Sequence, residues 1–359
     1  MNVTHFEVQR QNLRDCRLAS EGLPEPGPGQ ALLKVDRFAF TANNITYAVF
    51  GEAMAYWSFF PAPAGWGRIP VWGFADVVRS RCDGLHEGER VFGYLPMSTH
   101  LLVQPDKLSG ARFMDAMPHR LKLPAAYQSY TRTVGDPAHD AKLDDHQAIF
   151  RPLFVTSFLI EDFLSENNLF DAKLVVLSSA SSKTALGLAH LLKTKRPNSC
   201  EVIGLTSASN VAFCARTGYY DRVIAYELLP KLPGDLPAVF VDMAGNGKLL
   251  HDVHHHFGDR LKYSCMVGGT HWDRRATQHN LPGAKPEFFF APTQFQKRVK
   301  DWGFGGLESR LTQAMSAFLL TTRPWLALHH GQGQQAIETV YRDTLEGRVT
   351  PEQGHILSF

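Results

Sequence analysis

The chain has 359 residues, 44% of them hydrophobic, which is enough for one large domain or two medium-sized domains with real cores. Lys and Arg total 37 against 35 for Asp and Glu, and no basic run occurs, so we expect no nucleic-acid partner. The most apolar stretch is interrupted by Arg151 and Glu161, so we expect no membrane span. The five scattered cysteines form no Cys-x-x-Cys pair, so we expect reduced thiols in a cytoplasmic protein.

The first 150 residues are predicted to be rich in β-strands. Residues 30–40 alternate apolar and polar side chains over much of their length, after a turn cluster of prolines and glycines at 24–29. Shorter strands are predicted at residues 71–79, 90–94 and 101–103, with glycines between them. Closely spaced short strands of this kind indicate a compact barrel or bent sheet.

After about residue 150, short apolar runs alternate with segments of helical spacing. The predicted strands are residues 173–177, 201–205, 223–224, 238–242 and 263–267, and the predicted helices are residues 157–169, 182–195, 210–217, 247–257, a segment from 293 onward, and 333–347. This alternation predicts a doubly wound parallel sheet. The carboxyl ends of its strands would meet at one edge, where such sheets bind ligands.

The first apolar run of this part leads into a turn of very small residues. Ser179, Ser182 and Ala185 lie three residues apart, where a dinucleotide-binding turn would carry glycines, and Lys183 places a cation beside them. Small side chains let a pyrophosphate approach the free amides of a helix N-terminus. The alternative is an ordinary strand–turn–helix with a serine N-cap.

The second apolar run ends in hydroxyl and amide side chains. Thr206, Ser207 and Asn210 stand where an NAD-specific site has a carboxylate for the ribose hydroxyls, and Tyr226 follows the third strand. The missing carboxylate favours NADPH over NADH, although such strand ends also serve as helix caps. Ala244 and Gly268, at later strand ends, would flank the ribose and nicotinamide.

Two histidine runs invite comparison with metal sites. Residues 254–256 are three consecutive histidines within a predicted helix, and His329 and His330 are adjacent. Consecutive helical residues point in different directions, so we expect a solvated polar face rather than a metal site.

Taken together, these segments make the chain resemble the medium-chain dehydrogenase/reductase superfamily, nearest to its zinc-free quinone and enoyl reductases and to an uncharacterised branch. The matching segments, in family order, are residues 26–35, 73–80, 88–93, 100–105 and 151–158. The resemblance implies an α/β fold with a GroES-like β-barrel catalytic domain, residues 1–150 with a C-terminal return of roughly 325–359. A Rossmann-like nucleotide-binding domain would occupy residues 151–324.

The resemblance also implies candidate catalytic residues. Residues 40–47 stand where alcohol dehydrogenases have a catalytic cysteine, and no four-cysteine cluster forms a structural zinc lobe, so no metal is expected. Asn44 and Tyr47 lie where zinc-free relatives place polar side chains, with helix-turn and packing roles as the alternatives. Thr156 matches the threonine beside the nicotinamide. Independently of the resemblance, the aromatic side chains that follow Tyr47 are expected to pack mostly in the core or at a dimer contact, with residues 56–60 the best candidates for a pocket wall or lid.

The implied activity is an NADPH-dependent oxidoreductase that transfers hydride to a small carbonyl-conjugated substrate of quinone or enoyl type without zinc. One alternative is a non-catalytic nicotinamide-nucleotide-binding sensor or scaffold with a degenerate phosphate loop. Another is a lyase or isomerase that uses the same site without redox chemistry. The expected partners are a small-molecule substrate and, as a candidate assembly, a second copy of the chain.

Overall fold

A computed structural model of the protein describes residues 2–136, 139–243, 245–267 and 281–359. The strands are β1 Asn2–Gln9, β2 Cys16–Gly22, β3 Ala31–Phe40, β4 Trp66–Gly67, β5 Pro70–Ser80, β6 Arg90–Pro96, β7 His100–Val103, β8 Pro105–Asp106, β9 Arg112–Asp115, β10 Ser129–Arg132, β11 Leu174–Leu177, β12 Glu201–Thr206, β13 Arg222–Ala225, β14 Ala238–Asp242, β15 Leu261–Met266, β16 Pro286–Phe288, β17 Ala327–Gln332 and β18 Gln353–Ser358. The helices are α1 Ala42–Val49, α2 Asp144–Glu166, α3 Lys183–Lys195, α4 Val211–Thr217, α5 Gly247–Phe257, α6 Ala291–Thr322 and α7 Gly333–Leu345.

The chain divides into two compact units. Unit 1 comprises residues 1–149 and 326–359, and unit 2 comprises residues 150–325. In unit 1 a nine-stranded sheet has the order β17-β18-β3-β5-β6-β10-β9-β8, with β7 also paired to β3, and a small sheet has the order β2-β1-β4. The C-terminal strand β18 pairs antiparallel with β3, so the end of the chain completes the sheet that the first part begins.

Unit 1 is held together by close packing between its central strands. The side chain of Phe38 on β3 is fully buried, and Phe38 pairs with Gly73 of the neighbouring antiparallel strand β5. A Cβ at Gly73 would lie 2.1 Å from the Arg37 carbonyl oxygen, so only glycine allows this approach. The two register shifts between β3 and β5 bend the pair, which suits a curved, barrel-like sheet.

Unit 2 contains a six-stranded parallel sheet in the order β13-β12-β11-β14-β15-β16. Counted within this sheet, the strand order is 3-2-1-4-5-6, the order of dinucleotide-binding folds. Strands β11 and β14 are buried along their whole length, which explains why their sequences are continuous apolar runs rather than alternating ones. The direction of winding reverses between β11 and β14, and the carboxyl ends of these two strands therefore define the expected ligand-binding crevice.

The structure confirms most predicted elements of this part but corrects one helix. Strand β14 and helix α5 have the predicted bounds. Helix α2 begins at Asp144 rather than near residue 157, and it includes Pro152. A proline and a polar start obscured its first turns, since proline usually marks a helix end. In the described part of the chain, no helix is both long and apolar enough to cross a bilayer.

The histidine run on α5 does not form the solvated face that the sequence predicts. His254 is fully buried, and its two ring nitrogens contact the Pro282 carbonyl and the Ser264 hydroxyl, each at 2.9 Å. Only His255 is exposed, and its ring stacks on that of His251. The prediction is therefore wrong for His254, whose position on the α5 stripe facing β15 makes it a core residue. It is right for the exposed His329 and His330.

Candidate functional site

The carboxyl ends of β11 and β14 are joined by hydrogen bonds of the Ser178 side chain. The Ser178 hydroxyl donates to Asp242 Oδ1 at 2.7 Å and accepts the Met243 N–H at 2.8 Å. Asp242 also accepts the Gly245 N–H at 3.1 Å. Both side chains are buried, so this link fixes the two strand ends that flank the switch point of the sheet.

The bend after β11 has the backbone shape that glycine usually supplies. Ser179 has φ of +46°, in the left-handed region. Ala180 is held from two sides, because its N–H donates to the Leu205 carbonyl at 3.0 Å and its carbonyl accepts the Tyr220 hydroxyl at 2.7 Å. A Cβ on Gly204 would lie 2.8 Å from the Ala180 Cβ, so glycine on β12 lets the bend pack against that strand.

Helix α3 begins directly after this bend. Ser182 is its N-cap, and the Ser182 hydroxyl accepts the Ala185 N–H at 3.2 Å. In the first turn of a helix, N–H groups such as that of Thr184 have no acceptor within the helix. The positive end of the helix dipole lies at the same place. Lys183, half buried, is the first helical residue. The capping role that the sequence left open is therefore present, in the setting that an anion-binding turn requires.

Three predicted cofactor residues from separate segments meet at this bend. The Ser179 N–H donates to the Tyr226 hydroxyl at 3.1 Å, and the Asn210 side-chain amide donates to the Ser181 hydroxyl at 3.1 Å. These contacts connect residues that lie 47 and 29 positions apart in sequence. The structure therefore assembles Ser179, Asn210 and Tyr226 around the start of α3.

Other predicted cofactor residues have different surroundings. Thr206 is only 1% exposed, so its hydroxyl faces the protein interior rather than the edge. Ser207 is half buried, and its hydroxyl lies 3.0 Å from that of Ser209. Ala244 and Gly268 lie outside the described residues. Tyr220, whose hydroxyl holds the bend in place, was not predicted, and no local sequence pattern marks it.

In unit 1, Asn44 is a helix-capping residue. Its side-chain oxygen accepts the Thr41 N–H at 2.7 Å, and its amide nitrogen donates to the Pro70 carbonyl at 2.9 Å. These bonds connect the start of α1 to β5. The sequence left a catalytic and a structural role open for Asn44, and the bonds support the structural one. The third candidate, Thr156 of unit 2, lies half buried on α2.

Tyr47 belongs to an aromatic cluster. Its hydroxyl accepts the indole N–H of Trp72 at 3.2 Å. The cluster consists of Tyr47, Phe50, Tyr56, Phe59, Phe60 and Tyr94, with Trp72 and Tyr127 packed against it. Residues 56, 57, 59 and 60 are less than 10% exposed, so this segment is part of the core and not the lid that its composition suggested. The hydroxyl of Tyr94 is buried, with no hydrogen-bond partner in the described part of the chain.

Burial keeps the phenols of this cluster protonated. It raises the pKa of Tyr56 to about 12 and also raises the pKa values of Tyr47, Tyr94 and Tyr127 well above the usual value of a phenol. Because the folded state favours the neutral phenols, their burial contributes to the free energy of unfolding. This contribution is complete below about pH 10, the pKa of tyrosine in the unfolded chain, and is lost as the pH rises above that value.

We therefore expect an alkaline titration to show two phases of tyrosinate absorbance. Exposed phenols should ionise near pH 10, whereas the cluster should ionise only together with the loss of far-ultraviolet circular dichroism. The chain unfolded in guanidinium serves as the control, in which all ten tyrosines should titrate in one phase. Complete ionisation near pH 10 with unchanged dichroism would contradict the expectation.

Several solved structures are similar to nearly the whole of this chain. CurA from Vibrio vulnificus, solved in complex with NADPH, is 13% identical over 99% of this chain and 98% of its own, with a TM-score of 0.63. A putative NADPH:quinone reductase from Mesorhizobium loti is 12% identical over 99% and 98%, with a TM-score of 0.63. The quinone oxidoreductase from Coxiella burnetii is 13% identical over 99% of both chains, with a TM-score of 0.55.

At such low identity these likenesses show the fold alone, and they confirm the predicted α/β fold with a GroES-like β-barrel domain and a Rossmann-like domain. A search of curated protein sequences found no match. A family model matches residues 38–350, most of the chain. The chain therefore belongs to the family described as protein of unknown function (DUF2855).

Proposed function

We propose that the chain is an NADPH-dependent oxidoreductase that passes hydride to a small carbonyl-conjugated acceptor of quinone or enoyl type without zinc. The observation that carries the proposal is the bend at the switch point of the parallel sheet, built from small hydroxyl residues at a helix N-terminus. The fold shared with CurA, which was solved in complex with NADPH, supports the same cofactor.

The residues at this edge fit NADPH. Ser179 already has the left-handed backbone of a glycine turn, so it, Ser182 and Lys183 would hold the pyrophosphate. Ser207 and Asn210 follow β12, whose end carries no carboxylate to repel a 2′-phosphate, and the Tyr226 hydroxyl faces the same bend. When bound, the nicotinamide supplies the hydride.

The protein's own contribution would be a hydrogen-bond donor for the acceptor oxygen. Tyr47 is the candidate, since its hydroxyl accepts the Trp72 N–H and can donate its own proton to the acceptor. No three His, Cys, Asp or Glu side chains in the described ranges lie where they could share a metal ion.

The test is NADPH fluorescence on mixing, followed by NADPH oxidation with quinones and enoyl thioesters. We expect enhanced nicotinamide fluorescence and turnover with at least one acceptor class. The Tyr47→Phe variant should bind NADPH as the wild type does and lower kcat by about 100-fold, the usual effect of losing one such donor. Equal turnover by this variant would remove Tyr47 from the proposal.

Three results would overturn the proposal. Binding without turnover would favour the nucleotide-binding sensor, for which the Ser179–Tyr226 hydrogen bond that occupies a loop amide is the supporting observation. Absence of any heat of binding or thermal shift with NADPH would exclude both the oxidoreductase and the sensor. Turnover of an acceptor without a change in NADPH absorbance would favour a lyase or isomerase.

We also propose a cytoplasmic, homodimeric protein. All five cysteines are free thiols, as expected in a reducing compartment. Strand β16 ends the six-stranded order, and the nearby Phe288 and Phe290 are 56% and 45% exposed. Exposed apolar side chains at a sheet edge favour pairing with a second copy of the chain.

A further inference from the structure

A groove of about 880 Å³ lies between α2, α3 and α6 within unit 2. The residues of the bend after β11 do not line it. Helix α3, about 20 Å long by its 13 residues, begins at that bend and contributes its other end to the groove. Organic ligands bind in pockets of about 300–1,000 Å³, so the groove is large enough for one.

The acidic side chains of this α2/α3/α6 groove are neutralised within the protein. Lys195 Nζ lies 2.6 Å from Glu161. Arg298 Nε lies 2.5 Å from Asp162. Neither carboxylate is therefore an uncompensated charge that would repel an anion.

Two guanidinium groups that line the groove are not neutralised. Arg196 is held by Ser165, donating from Nε to the hydroxyl at 2.7 Å and from Nη2 to the carbonyl at 3.1 Å. Arg310 stacks over the Trp302 ring at 4.6 Å, which leaves the N–H groups at the edge of its plane for hydrogen bonds. Across the described ranges, neither pairs with a carboxylate. The groove thus carries two positioned positive charges.

Part of the groove lining is apolar. Phe158 and Leu191 are each 2% exposed, and Ala314 and Ala317 of α6 complete this surface. His190, 8% exposed, packs against the rings of Tyr219 and Phe318. Burial lowers the pKa of His190, which keeps the ring neutral near pH 7. An uncharged surface therefore lies beside the two arginines.

We propose that the α2/α3/α6 groove is a second ligand site, which binds an organic anion with an apolar body. Arg196 and Arg310 hold the carboxylate or phosphate head, and the apolar surface takes the body. Two arginines without a carboxylate partner in the described ranges, in one groove with an apolar surface, are complementary to this class of molecule and to neither a neutral lipid nor a cation. The site is separate from the proposed nucleotide site and does not depend on it.

The test is calorimetric titration of the full chain with decanoate below its micelle-forming concentration, compared with decyltrimethylammonium, which has the same tail and the opposite charge. We expect saturable binding of decanoate alone. Arg196→Gln and Arg310→Gln should each weaken it about tenfold or more, because each removes a charge-assisted contact. Arg260→Gln, an exposed change outside the groove, is the matched control and should have no effect.

Ala317→Trp provides a steric test on an exposed helical position, so the chain should fold. The indole would fill the groove, and decanoate binding should be lost while the thermal midpoint is unchanged. The proposal is overturned if decanoate gives no saturable heat, if Ala317→Trp binds it as the wild type does, or if the cationic surfactant binds equally well.

Discussion

The Ser207→Asp variant is expected to lose NADPH affinity by about 100-fold or more, since placing like charges together costs several kcal/mol. Ser207 directly follows β12 and is the N-cap of a short 3-10 turn, a position that aspartate favours, so the variant should fold. The new carboxylate would face the 2′-phosphate in the proposed site. It would also accept hydrogen bonds from the ribose hydroxyls of NADH, so NADH should bind several-fold more tightly.

Nucleotide titration of the wild type and the variant, followed by nicotinamide fluorescence, measures both changes. Ser316→Asp, an exposed position on α6, adds the same charge elsewhere in unit 2 and should leave both affinities unchanged. An equal loss for both nucleotides would indicate a damaged bend rather than altered specificity. Unchanged NADPH binding would place the 2′-phosphate away from Ser207.

The Asp115→Asn variant is expected to lower the free energy of unfolding by about 3–5 kcal/mol, the usual cost of leaving one partner of a buried ion pair unpaired. Asp115 and Arg120 are each 1% exposed, and Arg120 Nη1 lies 2.6 Å from Asp115 Oδ2. Arg120 also donates to the Tyr130 hydroxyl and the Tyr127 carbonyl. Neither of these neutral acceptors can replace the charge of the carboxylate.

Urea unfolding of the full chain, followed by circular dichroism, tests this expectation. Asparagine keeps the oxygen that accepts the N–H groups of Gln104 and Met117, so the change is confined to the oxygen that faces Arg120, where it removes both the charge and the hydrogen-bond acceptor. The double variant Asp115→Asn/Arg120→Met removes the buried cation as well and should be more stable than Asp115→Asn. Asp106→Asn, exposed on β8, is the control. A double variant less stable than the single one would contradict the ion-pair explanation.

Much of unit 2 could be predicted because its signals are local. Residues 238–242 form a continuous apolar run, which is typical of a parallel strand covered on both faces, and α5 ends at Gly258, as its sequence indicates. The start of helix α2 was harder to predict, because Pro152 resembles a helix boundary and the first turns of the helix are polar. The packed segment at residues 56–60 was misjudged because an aromatic composition suits a core and a pocket equally well.

The sequence alone determined the alternation of strands and helices, the small residues of the bend and the absence of a carboxylate after β12, since each depends on neighbours in the chain. Only the tertiary structure decided which of these residues meet. The Ser178–Asp242 bond spans 64 positions and the Ser179–Tyr226 contact 47, and both follow from the order of strands in the sheet. No local pattern encodes that order, because it results from packing whole helices and strands against one another.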